Sequence, residues 1–248
     1  HFYAAFPDSR SDWDRFVDQL ASRPSWLFSP DDGIESGQEP LVCSEFGNWG
    51  LPDPDLLRDG SGSEPWWFET GHDWAEGVMY PHGIENRFSD WSLGRIFGSI
   101  KGLVEAAQWQ QFRALKYAIE AMRAKTQIAG YVITELTDVH WESNGLLDMR
   151  RNTRVFHDVF RSINADTIIV PKWTRLSYWS GETATVEILV AHGAGSPLSG
   201  AKLQITLDSK LLVDIPNQSA GSVASLGELS ILLPQVQENC IRRLSFDL

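Results

Sequence analysis

Leu41, Val42 and Cys43 form an apolar run that lacks the polar alternation of a half-exposed strand, and two residues later the chain reaches a carboxylate, Glu45. Such a run predicts a parallel strand covered on both faces, with Glu45 at its carboxyl end. In open α/β sheets and in (β/α)8 barrels the loops converge at that end and chemistry is done there. An isolated Glu in this position is often a solvated acid or half of an ion pair. The following Phe46-Gly47-Asn48-Trp49-Gly50 argues for more, because the two glycines let the backbone turn and approach a ligand, while Trp49 offers a flat apolar face to a sugar ring.

The neighbouring segments supply the rest of an α/β arrangement. His1 to Phe6 reads as the end of a strand. Trp13, Phe16, Val17 and Leu20 recur at helical spacing, Ser11 and Asp14 resemble a capping box, and Arg23-Pro24 ends the helix. The order strand, helix, strand gives a right-handed parallel crossover. From Leu51 to about residue 100 no periodicity is sustained, and the stretch is rich in Pro, Gly, Asp and aromatics, including Trp66, Trp67 and Trp74. So long an irregular segment is usually functional, and this one would overhang Glu45. Phe112, Leu115, Ile119 and Met122 predict a helix over 103–124, residues 130–138 a strand, and Val155, Phe156, Val159, Phe160 and Ile163 a closing helix over 150–163.

After residue 165 the texture changes to short alternating segments: 167–170, 175–179, 183–191, 201–208, 222–233 and 241–248, punctuated by Gly181, Gly193, Gly195, Gly200 and Gly227. Such spacing predicts an immunoglobulin-like β-sandwich over 166–248 beside an α/β domain over 1–165. The chain begins at His1 within strand-like sequence and stops at Leu248 within another, so it reads as a piece of a longer polypeptide. An exposed sandwich edge is a place where a second copy could pair, so a homo-oligomer is compatible with the sequence.

Charge and cysteine content narrow the function. Lys and Arg number 21 against 33 Asp and Glu, a formal charge of -12, which opposes phosphate backbones and anionic membrane surfaces. Nucleic acid and membranes are not expected partners. Cys43 and Cys240 give no disulfide framework and suit free thiols in a reducing, cytoplasmic setting. No spacing resembles a zinc or calcium site, and no metal or other cofactor is expected. Trp is abundant, with 11 residues, four of them (Trp49, Trp66, Trp67 and Trp74) in the loop after Glu45, as a carbohydrate platform requires.

Pro40-Leu41-Val42-Cys43-Ser44-Glu45-Phe46-Gly47 resembles the strand that carries the nucleophile in family 2 glycoside hydrolases, the β-galactosidase, β-glucuronidase and β-mannosidase family. The resemblance implies that 1–165 is the last three strands of a TIM barrel, that a β-sandwich follows, and that Glu45 is the nucleophile of a retaining β-glycosidase. It implies also that Tyr3 hydrogen-bonds Glu45, that His1 contacts sugar hydroxyls and that Asn48 and Trp49 help form the glycone pocket; Trp66 and Trp67 belong to the aromatic loop, which is this sequence's own and would wall that pocket. Gly130 and Asp138 fit the family's eighth strand, whereas its usual Trp is here Thr134; Trp141 is the candidate replacement. The family's acid/base belongs to an Asn-Glu pair that occurs nowhere in this chain.

Glu135, Asp138, His140 and Glu142 are each readable as catalytic. A glycosidase needs two carboxyls about 5 Å apart in the retaining case and roughly 6.5 to 9.5 Å apart in the inverting case, and neighbouring strands lie about 4.8 Å apart, so Glu135 could approach Glu45. With the acid/base placed upstream by the resemblance, Glu135 becomes a structural or substrate-orienting group, and the isolated chain is expected to hydrolyse nothing. A different class of reading is a non-catalytic carbohydrate-binding or scaffold protein with a degenerate barrel, for which Thr134 and the absent Asn-Glu would be the signs.

Overall fold

The structure is a computed structural model that describes residues 3, 6–25, 39–68, 82–139, 142–220 (backbone alone for 216–220) and 222–248. The chain divides into two units, His1–Ala118 with Gln127–Arg161, and Ile119–Thr126 with Ser162–Leu248. The expected first strand falls almost wholly outside the described residues.

In the first unit, α1 (Arg10–Ala21) buries Trp13, Val17 and Leu20 of the expected stripe and leaves Phe16 half-buried. Its start differs from the expected capping box: Ser9 is the N-cap and makes no side-chain cap, and Asp14 instead accepts the Tyr117 hydroxyl at 2.7 and 2.8 Å. β1 (Leu41–Phe46) pairs in parallel with β2 (Ile128–Ile133) in the register Leu41 to Ile128, Cys43 to Tyr131 and Phe46 to Ile133. Contrary to expectation, β1 is not covered on both faces among the described residues. Val42 is 45% exposed while Cys43 and Phe46 are buried. The covered face packs Phe46 against Trp13 and Tyr131, with ring centroids 5.8 and 5.6 Å apart.

Between the strands, the described residues of the stretch expected to be irregular form short helices, α2 (Pro54–Leu57), α3 (Ile84–Asp90) and α4 (Gly94–Phe97), with a 3-10 turn at Trp66–Phe68. Each spans two turns or fewer, too short for hydrophobic periodicity to register. α5 (Ile100–Arg123) then forms the long crossover. Val104, Gln108, Gln111, Leu115, Ala118 and Met122 repeat three and four apart and are all buried, so two glutamines lie within its apolar stripe.

The expected closing helix is only a 3-10 turn, His157–Ser162. Asp148 accepts the backbone N–H groups of Arg150 and Asn152, and Arg151 has a φ of 66°, so the chain turns where a helix would have to start. Phe156 and Ile163 are buried as expected, but Val155 and Val159 are exposed.

The second unit has two three-stranded antiparallel sheets. One has the order β3 (Thr167–Trp173), β4 (Thr183–His192), β7 (Val223–Leu232); the other has β6 (Lys210–Ala220), β5 (Leu198–Leu207), β8 (Leu244–Asp247). Val186, Ile188, Leu203 and Ile205 form the core, with Trp173, Leu229, Val213 and Phe246 packed on it, so all six strands contribute to one interior. Arg123, in the last turn of α5, donates to the carbonyls of Ala165, Asp166 and Ala191 at 2.9, 2.7 and 3.1 Å. Residues 175–179, expected as a strand, are instead a loop, and β6 is an addition. Asp208 and Ser209, at φ 47° and 69°, form the two-residue turn that brings Leu207 opposite Lys210.

Candidate functional site

Glu45 is the penultimate residue of β1, where alternation and the closing Phe46 leave it half-buried. The Tyr3 hydroxyl donates to its Oε1 at 2.6 Å. Burial, followed by the hydrogen bond to Glu45, pushes the Tyr3 phenol up to about 12, so it remains a donor throughout the neutral range. Immediately beyond, Thr134 N donates to Phe46 O at 2.8 Å, joining the segments that leave β1 and β2. The approach requires glycine at position 47: a Cβ there would lie 2.2 Å from Thr134 O and 3.2 Å from the Tyr3 ring. Trp49, 54% exposed, has its ring centroid 5.7 Å from that of Tyr3. A phenol, a carboxylate and an open indole are thus gathered at the carboxyl end of a parallel strand.

The segment after β2 adds more acid. Glu135 is half-buried, and its Oε1 has no hydrogen-bond partner among the described residues. Its carboxyl is raised above the ordinary range, first by burial and then by the charge of Glu142. Asn144 holds Glu142 through Nδ2 to Oε1 at 2.8 Å. Asp138, also considered for catalysis, is buried and bound by Arg154; burial pushes its carboxyl up against the pull of that guanidinium. It is a structural anchor of the loop, since Gly145 N donates to the same carboxylate at 2.8 Å.

The buried glutamines of α5 hold these loops. Gln111 Nε2 donates to Asn144 O at 2.9 Å and Gly145 O at 3.1 Å; Gln108 donates to Leu51 O at 2.8 Å and accepts from Val155 N at 2.9 Å. Gly50 N donates to Ser143 O at 2.8 Å, directly linking the loop after β1 to the loop after β2. Their signal is in the sequence: amides at the i and i+3 positions of an otherwise apolar stripe need buried partners.

The other expected site residues are more dispersed. Asn48 lines a small pocket of about 10 Å³, at the lower limit for holding a water, together with Arg10, Trp13 and Tyr117. Trp66 is 77% exposed, and Trp67 turns onto Phe68, centroids 4.9 Å apart. His1 and Trp141 lie outside the described residues, as does Trp74. Among the described residues no group of three or more His, Cys, Asp or Glu is arranged to hold a metal, and no helix is long and apolar enough to cross a membrane. Cys43 and Cys240 are free thiols.

No family model matches the sequence, and no curated protein matches it. Solved structures do resemble the fold. A β-D-mannosidase from Dictyoglomus thermophilum matches with a TM-score of 0.52 and 19% identity, covering 82% of this chain and 26% of its own. The exo-chitosanase CsxA of Amycolatopsis orientalis matches with a TM-score of 0.43 and 14% identity, covering 88% of this chain and 31% of its own. The chain therefore spans less than a third of the length of either structure. It shares its fold with part of a β-D-mannosidase, a kind of enzyme named in the family that its Glu45 motif resembles.

Proposed function

We propose that this chain carries the nucleophile half of a retaining β-glycosidase site, with Glu45 as the nucleophile and Tyr3 as the phenol that orients it. The observation that carries the reading is the 2.6 Å hydrogen bond from Tyr3 to Glu45 at the carboxyl end of a parallel strand. In this reading 1–165 is the closing part of a (β/α)8 barrel and 166–248 an immunoglobulin-like sandwich. The parallel pair joined through α5 and the two antiparallel sheets around one core support it.

The chemistry follows from the groups. The ionised Glu45 carboxylate attacks the anomeric carbon and forms a glycosyl ester as the bond to the leaving oxygen breaks, while an acid protonates that oxygen. Water then adds to the anomeric carbon, giving its proton to the same residue, now a base, and freeing Glu45. Tyr3 donates a hydrogen bond to Oε1 and so fixes the orientation of the carboxylate that attacks. With no Asn-Glu pair among the 248 residues, the proton donor in this reading comes from outside them. Trp49 would stack on the glycone, Glu135 would orient it, and Asn48, Trp66 and Trp67 would border it. The substrate is a β-glycoside, and the chemistry calls for no cofactor.

In the active protein, Glu45→Gln should abolish turnover of an aryl β-glycoside while its circular dichroism spectrum is retained. Azide added to Glu45→Ala should restore cleavage and yield an α-glycosyl azide, the product expected when an external nucleophile replaces a missing carboxylate. Full activity in Glu45→Gln, or a β-configured azide, would overturn the assignment.

A further inference from the structure

We propose a second carbohydrate-binding site, built around Trp179 in the loop between β3 and β4 and suited to one ring of a neutral β-linked polysaccharide. It does not depend on the role of Glu45.

Trp179 is 79% exposed, yet the turn that carries it is tightly tied. Glu182 Oε2 accepts from Trp179 N and from Arg175 Nη2, both at 2.9 Å, and Glu182 N returns a bond to Trp179 O at 3.2 Å. Ser180 Oγ accepts from Val236 N at 2.8 Å and donates to Gln235 Oε1 at 3.0 Å. Gly181, at φ 79°, lets the Gln235 amide lie over it, since a Cβ there would be 2.2 Å from Nε2. Tyr178 is covered by the Arg175 guanidinium, 4.5 Å from its ring centroid, and its ring is set against Trp173. The loop therefore has a folded aromatic base and one indole left in solvent, with no ring contact or cation placed over it among the described residues.

Singly exposed apolar residues are common, and Trp66 and Trp91 are exposed too, so it is the hydrogen-bonded mounting of Trp179 rather than its exposure that points to a ligand. One indole offers roughly 200 Å², well short of the roughly 1,000 Å² that a stable protein interface needs. Of the exposed residues that precede and follow it in the loop, Ser177 and Ser180 are polar, and Leu176, 51% exposed, is apolar. A β-linked pyranose with mainly equatorial substituents matches this surface, presenting C–H groups on its flat face and hydroxyls around its rim. Gln235 Nε2, which lies over Gly181, makes no hydrogen bond to the described residues, and Arg175 gives only Nη2 to its carboxylate partner, so the turn that carries Trp179 retains donors. The chain's charge of -12 disfavours acidic polysaccharides. Because the turn is already fixed, binding need not first order it.

The test is native gel electrophoresis with konjac glucomannan cast in the gel. The wild-type chain should be retarded, Trp179→Ala should bind at least tenfold more weakly with an unchanged thermal melt, and Trp179→Phe should retain part of the retardation. Glu45→Gln should be retarded like wild type, which separates this site from the one at β1. The proposal is overturned if wild type is not retarded, if Trp179→Ala is retarded as strongly as wild type, or if Glu45→Gln loses the effect.

Discussion

Arg154 reaches both carboxylate oxygens of Asp138 through a single nitrogen, Nη2, at 2.6 Å each, with the two side chains only 1% and 3% exposed. Arg154 Nε also donates to Gly145 O at 3.2 Å, so the pair and the peptide between them close the loop that follows β2.

Removing one partner of such a pair leaves an uncompensated buried charge, which costs about 3 to 5 kcal/mol, far more than the intact pair contributes. Arg154→Met should therefore destabilise the protein by about that amount in urea denaturation. The double variant Asp138→Asn with Arg154→Met should recover part of the loss, because the stranded carboxylate is gone. A single-variant loss near that of an exposed pair, about 0 to 1 kcal/mol, would contradict the pairing.

The raised carboxyl of Glu135 gives a prediction about charge. Glu142→Gln removes the second largest cause of the shift, so the Glu135 midpoint in a carboxyl-carbon NMR titration should fall toward the ordinary range. The sign for stability follows. A raised folded-state value means that the folded protein holds this proton to higher pH than the unfolded chain, so the contribution is complete below the unfolded value and is lost as pH rises through the folded one. Glu142→Gln should shrink that loss, making the variant more stable relative to wild type above the window than below it. An unmoved Glu135 midpoint would show that the two carboxylates do not interact.

Gly47→Ala tests the close approach at the candidate site. The added methyl would meet a backbone carbonyl, Thr134 O, that cannot swing aside as a side chain does, and the Tyr3 ring lies next to it. Separation of the two loops should loosen the Tyr3–Glu45 bond. The phenol that titrates at about 12 in the native protein should then move toward 10 in an ultraviolet titration, and Tyr3→Phe identifies the transition by deleting it. Stability linked to this phenol is complete below about 10 and is lost as pH rises through about 12, so Gly47→Ala should also flatten that alkaline decline. An unchanged midpoint would mean that the backbone absorbs the methyl.

Glu45 at a strand end was legible because a short apolar run makes the position of its first charge conspicuous. The stripe on α5 was legible from its spacing of three and four, and Gln108 and Gln111 within it signal a need for buried partners, but which loops they hold shows only in the fold. What escaped the sequence was decided by polar side chains bonding to backbone. Asp148 makes a turn where 150–163 has helical spacing, and Asp208-Ser209 makes a hairpin without the glycine that usually marks one, so β6 has no visible start. In 175–179 the alternating pattern is real, but Glu182 ties Trp179 and Arg175 into a loop before a ladder can form.

The last turn of α5 belongs with the β-rich unit, and the chain returns to the first unit for residues 127–161 before entering the sheets. The sandwich is therefore not a cassette. Excising 162–248 would discard Arg123 and leave the carbonyls of Ala165, Asp166 and Ala191 without the guanidinium that gathers them. Any transplant of this module into another scaffold would have to carry a helical tail with it.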